Sequence, residues 1–409
     1  MVIQHWHRTH SFKPLHTHHP SNLSIQHTLN PTPKPNPNPN PATMSNFLVL
    51  TDKTVHKILM ALTKPEIMTF LTKIGTSLQN FSVGDERSHQ PEPAVIQRAD
   101  GRKSLFRSFT SDTGVGVKII VDPAAALGRE SEAEQKRLRG LHGVLALCDQ
   151  NGFPDGFVNA EEVTGYRTSM SAMLLYVRRA RTRNVVVFGA GKQALWHLRL
   201  ALALRGGEIG QVTVVNRSEE RTKELLEVIE RENREGWKAE VRFEGLKAAD
   251  EEAVGRALGE ADVVFCTTPS KQVLFPARYL TGKKEGCYVS AIGSWTKDMI
   301  ELDGELLSEV AGRGASKGLV VADNREDCMV SAGEVIQSGL GVDKIAEVGE
   351  ILHLLEGESS ERQDKTKECL ETGFVVYKSI GVSMTDLAAG QAVLEMARKQ
   401  GEGVSIPDF

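Results

Sequence analysis

Two hydrophobic periods alternate along this chain, and the alternation predicts a protein of class α/β. From Thr51 to about residue 165, helical spacing gives way to short apolar runs bounded by turns. Further along, apolar strands alternate with amphipathic helices, as a doubly wound parallel sheet requires. A last amphipathic helix is predicted over 384–399. The predicted strands are 104–106, 116–121, 143–148, 156–158, 185–188, 211–215, 240–243, 261–268, 287–292 and 319–323.

The most informative segment is a strand that runs into a glycine turn and then a helix predicted over 192–205. Such a turn brings backbone close to a pyrophosphate, and the helix N-terminus offers free N–H groups to the anion. The spacing alone also occurs in ordinary strand–helix turns, but here the whole βαβ context is present. The candidate cofactor-binding residues of this turn are Gly189, Ala190, Gly191, Lys192, Gln193 and Ala194.

The second strand of this unit ends in Asn216, Arg217 and Ser218. An acidic residue at this tip accepts hydrogen bonds from the ribose of NAD, whereas an arginine pairs with the 2′-phosphate of NADP. The alternative is a plain surface arginine at a strand end. We therefore predict NADP as cofactor, with NAD as the alternative. Thr267 and Thr268, at the carboxyl end of a later strand, are expected at the same ligand-binding edge.

Residues 1–43 differ in composition from the rest of the 409-residue chain. They carry seven of the twelve histidines, no acidic residue and a tract with proline at every second position. This pattern predicts a disordered extension without a metal site. Met44 then opens a segment with the pattern of a domain start, with Thr51 predicted to cap a helix.

Charge and cysteine content exclude several classes of function. The net charge of −4 gives no reason to expect nucleic acid or an anionic membrane as partner, and no apolar run is long enough to span a bilayer. Five widely spaced cysteines fit reduced thiols in a cytoplasmic protein better than a disulfide framework.

Short motifs over most of the chain beyond Met44 resemble the ornithine cyclodeaminase/mu-crystallin family. The resemblance implies a homodimer in which a Rossmann dinucleotide-binding domain, 168–374, is inserted in a mixed α/β substrate-binding and dimerisation domain, 44–167 and 375–409. It also implies a small amino-acid or imino-acid substrate, whose carboxylate Lys118 and Arg167 hold. Ser379 and Gly381 are further candidates for cofactor contact. The motifs are 116–118, 158–169, 189–194, 261–264, 291–294, 301–303, 321–323, 332–334 and 378–382.

The chain departs from the family pattern at two positions. Cyclodeaminases of the family have an acid–base aspartate where this chain has Ser270, and a serine hydroxyl does not hold a proton at neutral pH as a carboxylate does. A further carboxylate-binding arginine of the family falls near Pro93, where Arg98 or Arg107 would have to substitute. Lys118 and Ser270 are the candidate catalytic residues.

Three functions follow from these observations. The first is an NAD(P)-dependent oxidoreductase that reduces a cyclic ketimine or imino acid, or oxidises the matching amino acid, by hydride transfer. The second is ornithine cyclodeaminase, which forms proline and ammonia with recycled NAD. The third is an NADP-dependent protein that binds a small ligand without turnover. The absent aspartate favours the reductase.

Overall fold

The computed structural model describes residues 46–123, 131, 140–283, 286–294, 296–407 and 409. The disordered extension predicted at 1–43 lies outside these residues. Within them the chain forms fifteen strands and thirteen α-helices. The strands are β1 (Phe47–Leu50), β2 (Ala94–Gln97), β3 (Lys103–Ser111), β4 (Gly114–Asp122), β5 (His142–Asp149), β6 (Pro154–Asn159), β7 (Asn184–Phe188), β8 (Gln211–Asn216), β9 (Arg242–Lys247), β10 (Val263–Cys266), β11 (Tyr288–Ala291), β12 (Gly318–Ala322), β13 (Ile345–Glu347), β14 (Phe374–Lys378) and β15 (Val404–Ile406). The helices are α1 (Asp52–Met60), α2 (Lys64–Val83), α3 (Ala160–Tyr176), α4 (Lys192–Arg205), α5 (Glu219–Glu232), α6 (Glu251–Glu260), α7 (Arg278–Thr281), α8 (Gly304–Gly312), α9 (Arg325–Ser331), α10 (Gly333–Ser338), α11 (Val348–Glu356), α12 (Glu361–Thr372) and α13 (Ser383–Gln400).

One sheet, called here the mixed sheet, has the strand order β15-β1-β6-β5-β4-β3-β2 among the described residues. Its neighbours pair antiparallel except β1 and β6, which are parallel. The register of β3 and β4 places Arg107 opposite Lys118 and Leu105 opposite Ile120. Helices α2, α3 and α13 pack against one another beside this sheet. Both termini of the described chain therefore contribute to one structural layer.

The other sheet, called the parallel sheet, has the order β13-β12-β14-β11-β10-β7-β8-β9, and all of its pairs are parallel. The chain leaves β7 toward β8 on one side and later returns to β10 on the other side. A crevice opens at such a reversal, outside the carboxyl ends of the strands. This is the doubly wound α/β fold that the pattern predicts.

Local sequence signals explain where several helices begin and end. The Thr51 hydroxyl accepts a hydrogen bond from the Thr54 amide and caps α1, and the Asn159 side chain does the same for α3. Helix α4 has the predicted limits because Gly191 precedes it and Gly206 ends it. The described helices include none with the length and apolarity that a membrane crossing requires.

Some predicted limits differ from the structure. The strand expected at 240–243 lies later, at β9, and the sequence pattern predicts no strand where β13 and β14 occur. All five residues of β14 are buried, so the strand has no alternation of apolar and polar residues, and period alone does not distinguish such a run from a buried helical segment. The domain limits stay a prediction, although β14 continues the parallel sheet past residue 374.

Candidate functional site

The glycine turn lies at the reversal of the parallel sheet. Gly189 follows β7 with a φ of +105°, and its amide donates to the Val215 carbonyl at 2.9 Å. A Cβ at Gly189 would lie 2.9 Å from Thr267 Oγ1, so no larger residue fits without a shift. A Cβ at Gly191 would have Arg221 Nη2, 3.8 Å away, as its nearest neighbour. Neighbouring atoms thus leave no room for a side chain at Gly189, whereas there is free space beside Gly191.

A cleft of about 540 Å³ begins at this turn, and its lining fits a dinucleotide. Gly191, Lys192 and Gln193 form its edge at the N-terminus of α4. Two polar atoms at the cleft, Gln193 Oε1 and Thr164 Oγ1, are buried without a hydrogen-bond partner. Buried polar groups are normally satisfied, so these atoms and the free amides of the helix end suit a bound polar ligand.

The Lys192 ammonium does not extend toward the open space. It lies 2.8 Å from Glu162 Oε1 and 3.4 Å from Glu161 Oε2. Burial opposes ionisation of Glu162, but hydrogen bonds from His56 and Lys192 lower the pKa of this carboxylate to about 2. The charge of Lys192 is therefore engaged in ion pairs with the carboxylates of α3.

The three residues predicted at the end of β8, Asn216, Arg217 and Ser218, have different environments in the structure. The Asn216 side chain donates to the Ser218 carbonyl, and the Ser218 hydroxyl caps α5. Arg217 is exposed. Arg221, in the first turn of α5, lines the cleft and donates through Nη2 to the Ala190 carbonyl at 3.4 Å. Sequence reasoning missed Arg221, although its spacing from Ser218 places it on the same side of the first helical turn.

Buried carboxylates fix the loops at the carboxyl edge of the parallel sheet. Glu301 accepts hydrogen bonds from the amides of Thr268 and Gly293, each at 2.6 Å. Lys378 lies 2.7 Å from Glu334 and 4.0 Å from Glu301, and all three side chains are fully buried. Thr267 donates its hydroxyl to the Phe188 carbonyl. The predicted Thr267-Thr268 corner is thus rigidly held beside the glycine turn.

Three cations and one carboxylate meet at the end of the cleft away from the glycine turn. Lys118 Nζ lies 2.6 Å from Asp386 Oδ2, and Arg167 Nε lies 2.9 Å from Asp386 Oδ1. Arg107, opposite Lys118 in the sheet, lines the same space. With Lys118 protonated, these four side chains carry a net charge of about +2, and Asp323 and Asp327 act on Arg107 as further, weaker counter-charges. Such an excess attracts an anionic ligand.

Burial changes the proton affinities of this cationic group. Loss of hydration, together with the nearby Arg167 and Arg107 charges, outweighs Asp386 and lowers the pKa of Lys118 to about 7. Burial opposes ionisation of Asp386, but Arg167 and Lys118 still hold its pKa below the ordinary value. With this pKa, Lys118 populates both its protonated and its neutral form near neutral pH, whereas an ordinary lysine stays protonated.

The loop after β14 borders the cleft beside Arg107 and Arg167. Asp323 accepts hydrogen bonds from Ser379 Oγ at 2.6 Å and from the Ile380 and Gly381 amides. Gly381 has a φ of +83°, and a Cβ there would lie 3.0 Å from Arg107 Nη1. It would also lie 3.1 Å from Arg167 Nη1. The positive φ favours glycine at position 381, and a side chain there would also crowd both guanidinium groups.

The structure brings many of the predicted site residues to one cleft. Those that line it are Lys118, Arg167, Gly191, Lys192, Gln193, Thr267, Thr268, Ser379 and Gly381. Of the two arginines considered as substitutes near Pro93, Arg107 lines the cleft. Arg98 lies in a turn with Gly101 and is exposed. Asp323 belongs to the motif 321–323 without a predicted role, and Asp386 belongs to none of the motifs; both act through neighbouring side chains and loops.

Ser270 lies apart from the cleft lining formed by the described residues. Its hydroxyl donates to the Gln272 carbonyl at 2.6 Å and accepts from the Gln272 amide at 3.1 Å. These bonds form a local turn in which the hydroxyl proton is already donated within the loop. A catalytic role for Ser270 remains a prediction without a supporting contact.

The fold and the cleft define an α/β protein of the doubly wound class, with a group of buried cations in the same cleft as the glycine turn. The model of the ornithine cyclodeaminase/mu-crystallin family matches residues 62–401, and the chain belongs to this family. An uncharacterized cyclodeaminase of Dictyostelium discoideum is 26% identical over 329 residues, covering 77% of this chain and 84% of the relative.

Two further proteins are similar to this chain. The Delta(1)-pyrroline-2-carboxylate reductase of Bacillus cereus is 24% identical over 318 residues, covering 75% of this chain and 88% of the relative. The structure of Thermococcus litoralis Delta(1)-pyrroline-2-carboxylate reductase with NADH and L-proline aligns with a TM-score of 0.67 at 17% identity. That alignment covers 88% of this chain and all of the other, and it shows the same fold.

Proposed function

We propose that this protein is an NAD(P)-dependent reductase of a cyclic ketimine or α-imino acid. The observation that carries the proposal is the excess of positive charge formed by Arg107, Lys118 and Arg167 in the cleft that begins at the glycine turn. A small acid bound there is oriented toward the nucleotide position. The pyrroline-carboxylate reductases among the relatives support an imine as substrate.

The side chains divide the work of binding and proton transfer. Arg107 and Arg167 hold the substrate carboxylate, because guanidinium groups match a carboxylate with paired N–H donors. Lys118, with its pKa of about 7, holds the proton that the imine nitrogen needs as the C=N bond is reduced. When bound, a reduced nicotinamide supplies the hydride to the imine carbon.

The experiment is an assay of purified protein with Δ1-pyrroline-2-carboxylate or Δ1-piperideine-2-carboxylate and reduced nicotinamide nucleotide. We expect loss of the reduced-nicotinamide absorbance and formation of proline or pipecolate. Ammonia from ornithine with NAD, without net NADH, would instead identify a cyclodeaminase. Ligand binding that depends on NADPH but gives no turnover over a panel of imines would identify a binding protein.

We infer that NADP is the preferred cofactor, because Arg217 and Arg221 flank the tip of β8, where the adenosine ribose is expected. Replacement of either arginine by alanine should raise the Kd of NADPH about tenfold and leave that of NADH nearly unchanged, since only NADPH has the 2′-phosphate. Titration with each nucleotide measures this. Lys223→Ala is the control, because Lys223 is exposed on the same helix. Equal weakening of both nucleotides contradicts the inference.

A further inference from the structure

Strands β3 and β4 present a ladder of paired side chains to the cleft. Residues directly opposite each other in an antiparallel pair point to the same face, and every second residue shares that face. Six residues of this face line the cleft in three consecutive pairs, called here the cationic, apolar and outer pairs. The pairs are Arg107 with Lys118, Leu105 with Ile120, and Lys103 with Asp122.

The spacing of the ladder sets where the rest of a bound acid lies. Two residues along a strand advance about 7 Å, so the apolar pair follows the cationic pair by that distance. A carboxylate held by Arg107 and Arg167 places the ring or side chain of the acid on Leu105 and Ile120. The outer pair, at about 14 Å, lies beyond a five- or six-membered ring. Other apolar residues of the same cleft include Leu141, Ile292, Met299 and Ile380.

Resting on the proposed function, we propose that the Leu105–Ile120 pair selects the substrate class. It accepts α-imino acids and α-amino acids with an apolar ring or chain and rejects those with a second charge, above all diamino acids. Each methylene that the pair removes from water strengthens binding about fourfold.

A second ammonium would be badly placed on this ladder. In extended ornithine the terminal nitrogen lies about 5 Å beyond Cα, and it therefore falls on the apolar pair. An ammonium that loses water without gaining a partner is strongly disfavoured. Among the described residues that line the cleft, the acidic side chains are Asp122, in the outer pair, and Glu161. Glu161 already contacts His142 at 2.7 Å and Lys192 at 3.4 Å.

The test measures binding of amino acids that cannot react with NADPH. Protein saturated with NADPH is titrated with L-proline, L-pipecolate, L-ornithine, L-lysine and L-aspartate, by calorimetry or by the change in NADPH fluorescence. We expect the Kd of proline or pipecolate to be at least tenfold lower than the Kd of each of the other three.

Variants at the ladder test the assignment to the apolar pair. Leu105→Glu should weaken proline binding at least tenfold and narrow or reverse the preference over ornithine, while Leu105→Met should change little because volume and polarity are kept. Ser104→Glu is the matched control, because it adds the same charge one residue away on the opposite face of β3. Thermal unfolding with NADPH verifies that each variant is folded.

The outcomes separate this inference from the proposed function. Ornithine or lysine binding as tightly as proline overturns the selection rule, and so does a Leu105→Glu variant that weakens all acids equally. Selective binding of proline without reduction of any imine overturns the reductase and leaves the role of the apolar pair intact. Failure of every acid to bind overturns the selection rule, whereas absence of imine turnover overturns the reductase.

Discussion

Asp386 divides its two carboxylate oxygens between Lys118 and Arg167, and all three side chains are buried. Single charges are costly to bury, so each member of this group depends on the others. Asp386 belongs to the last helix, α13, whereas Lys118 lies on β4 and Arg167 on α3. The interaction therefore joins three distant parts of the sequence beside the cleft.

Removal of the carboxylate should destabilise the fold. Asp386→Asn leaves two buried cations without a counter-charge and is expected to lower the free energy of unfolding by about 3–5 kcal/mol. Urea denaturation measures the change. Glu395→Gln, which removes a surface carboxylate from the same helix, should cost about 0–1 kcal/mol. A similar decrease in the free energy of unfolding in both variants would show that the buried Asp386 contributes no more to stability than a surface carboxylate.

Lys118 should set the alkaline limit of activity. Its pKa of about 7 means that it is protonated below pH 7 and neutral above it, so kcat/KM for imine reduction is expected to fall as pH rises through 7. Lys118→Arg keeps a positive charge that does not titrate, and any remaining activity should lose this decline. A pH–rate profile measures both. An unchanged decline in a folded Lys118→Arg variant would assign the titration to another group.

The two glycines of the strand–turn–helix element have different structural roles. Gly189 has a positive φ and a closed side, whereas Gly191 borders open space. The limits of α4 and the position of this turn could be predicted because the signals are local: an apolar strand, two glycines and a helical period that ends at Gly206. The pairing of β3 with β4 could not be predicted from the sequence, because the register of a strand depends on its partner strand.

Alanine at these two positions should give different defects. Gly189→Ala is expected to lower the free energy of unfolding by about 1–3 kcal/mol, because the backbone is strained for an L-residue and Cβ meets Thr267. Gly191→Ala should keep the stability of the apoprotein and raise the Kd of NADPH tenfold or more, since Cβ enters the nucleotide position. Urea denaturation and nucleotide titration measure these effects. Normal NADPH binding by Gly191→Ala would place the cofactor elsewhere.

At the scale of the whole molecule, the cleft takes one part of its lining from the mixed sheet and another from the loops of the parallel sheet. A ligand in the cleft contacts both, so it should stabilise the folded chain against global unfolding. Domain limits and oligomeric state remain predictions.

Nucleotide binding should therefore be visible in the unfolding of the protein. NADPH at about 100 times its Kd is expected to add about 2.7 kcal/mol to the free energy of unfolding. Urea denaturation with and without NADPH measures this, with Gly191→Ala as a control that should lose most of the gain. No gain in the unaltered protein would contradict a nucleotide site in the native fold.

The sequence by itself determined the α/β class, the glycine turn, the order of most strands and helices, and Lys118 and Arg167 as charged residues of interest. These depend on local periods and on motifs, which are readable over a few residues. Only the tertiary structure decided that Asp386 pairs with both cations, that Arg107 and Arg221 reach the cleft, and that Ser270 does not line it. Such contacts join residues far apart in the chain, and no local pattern encodes which of them meet.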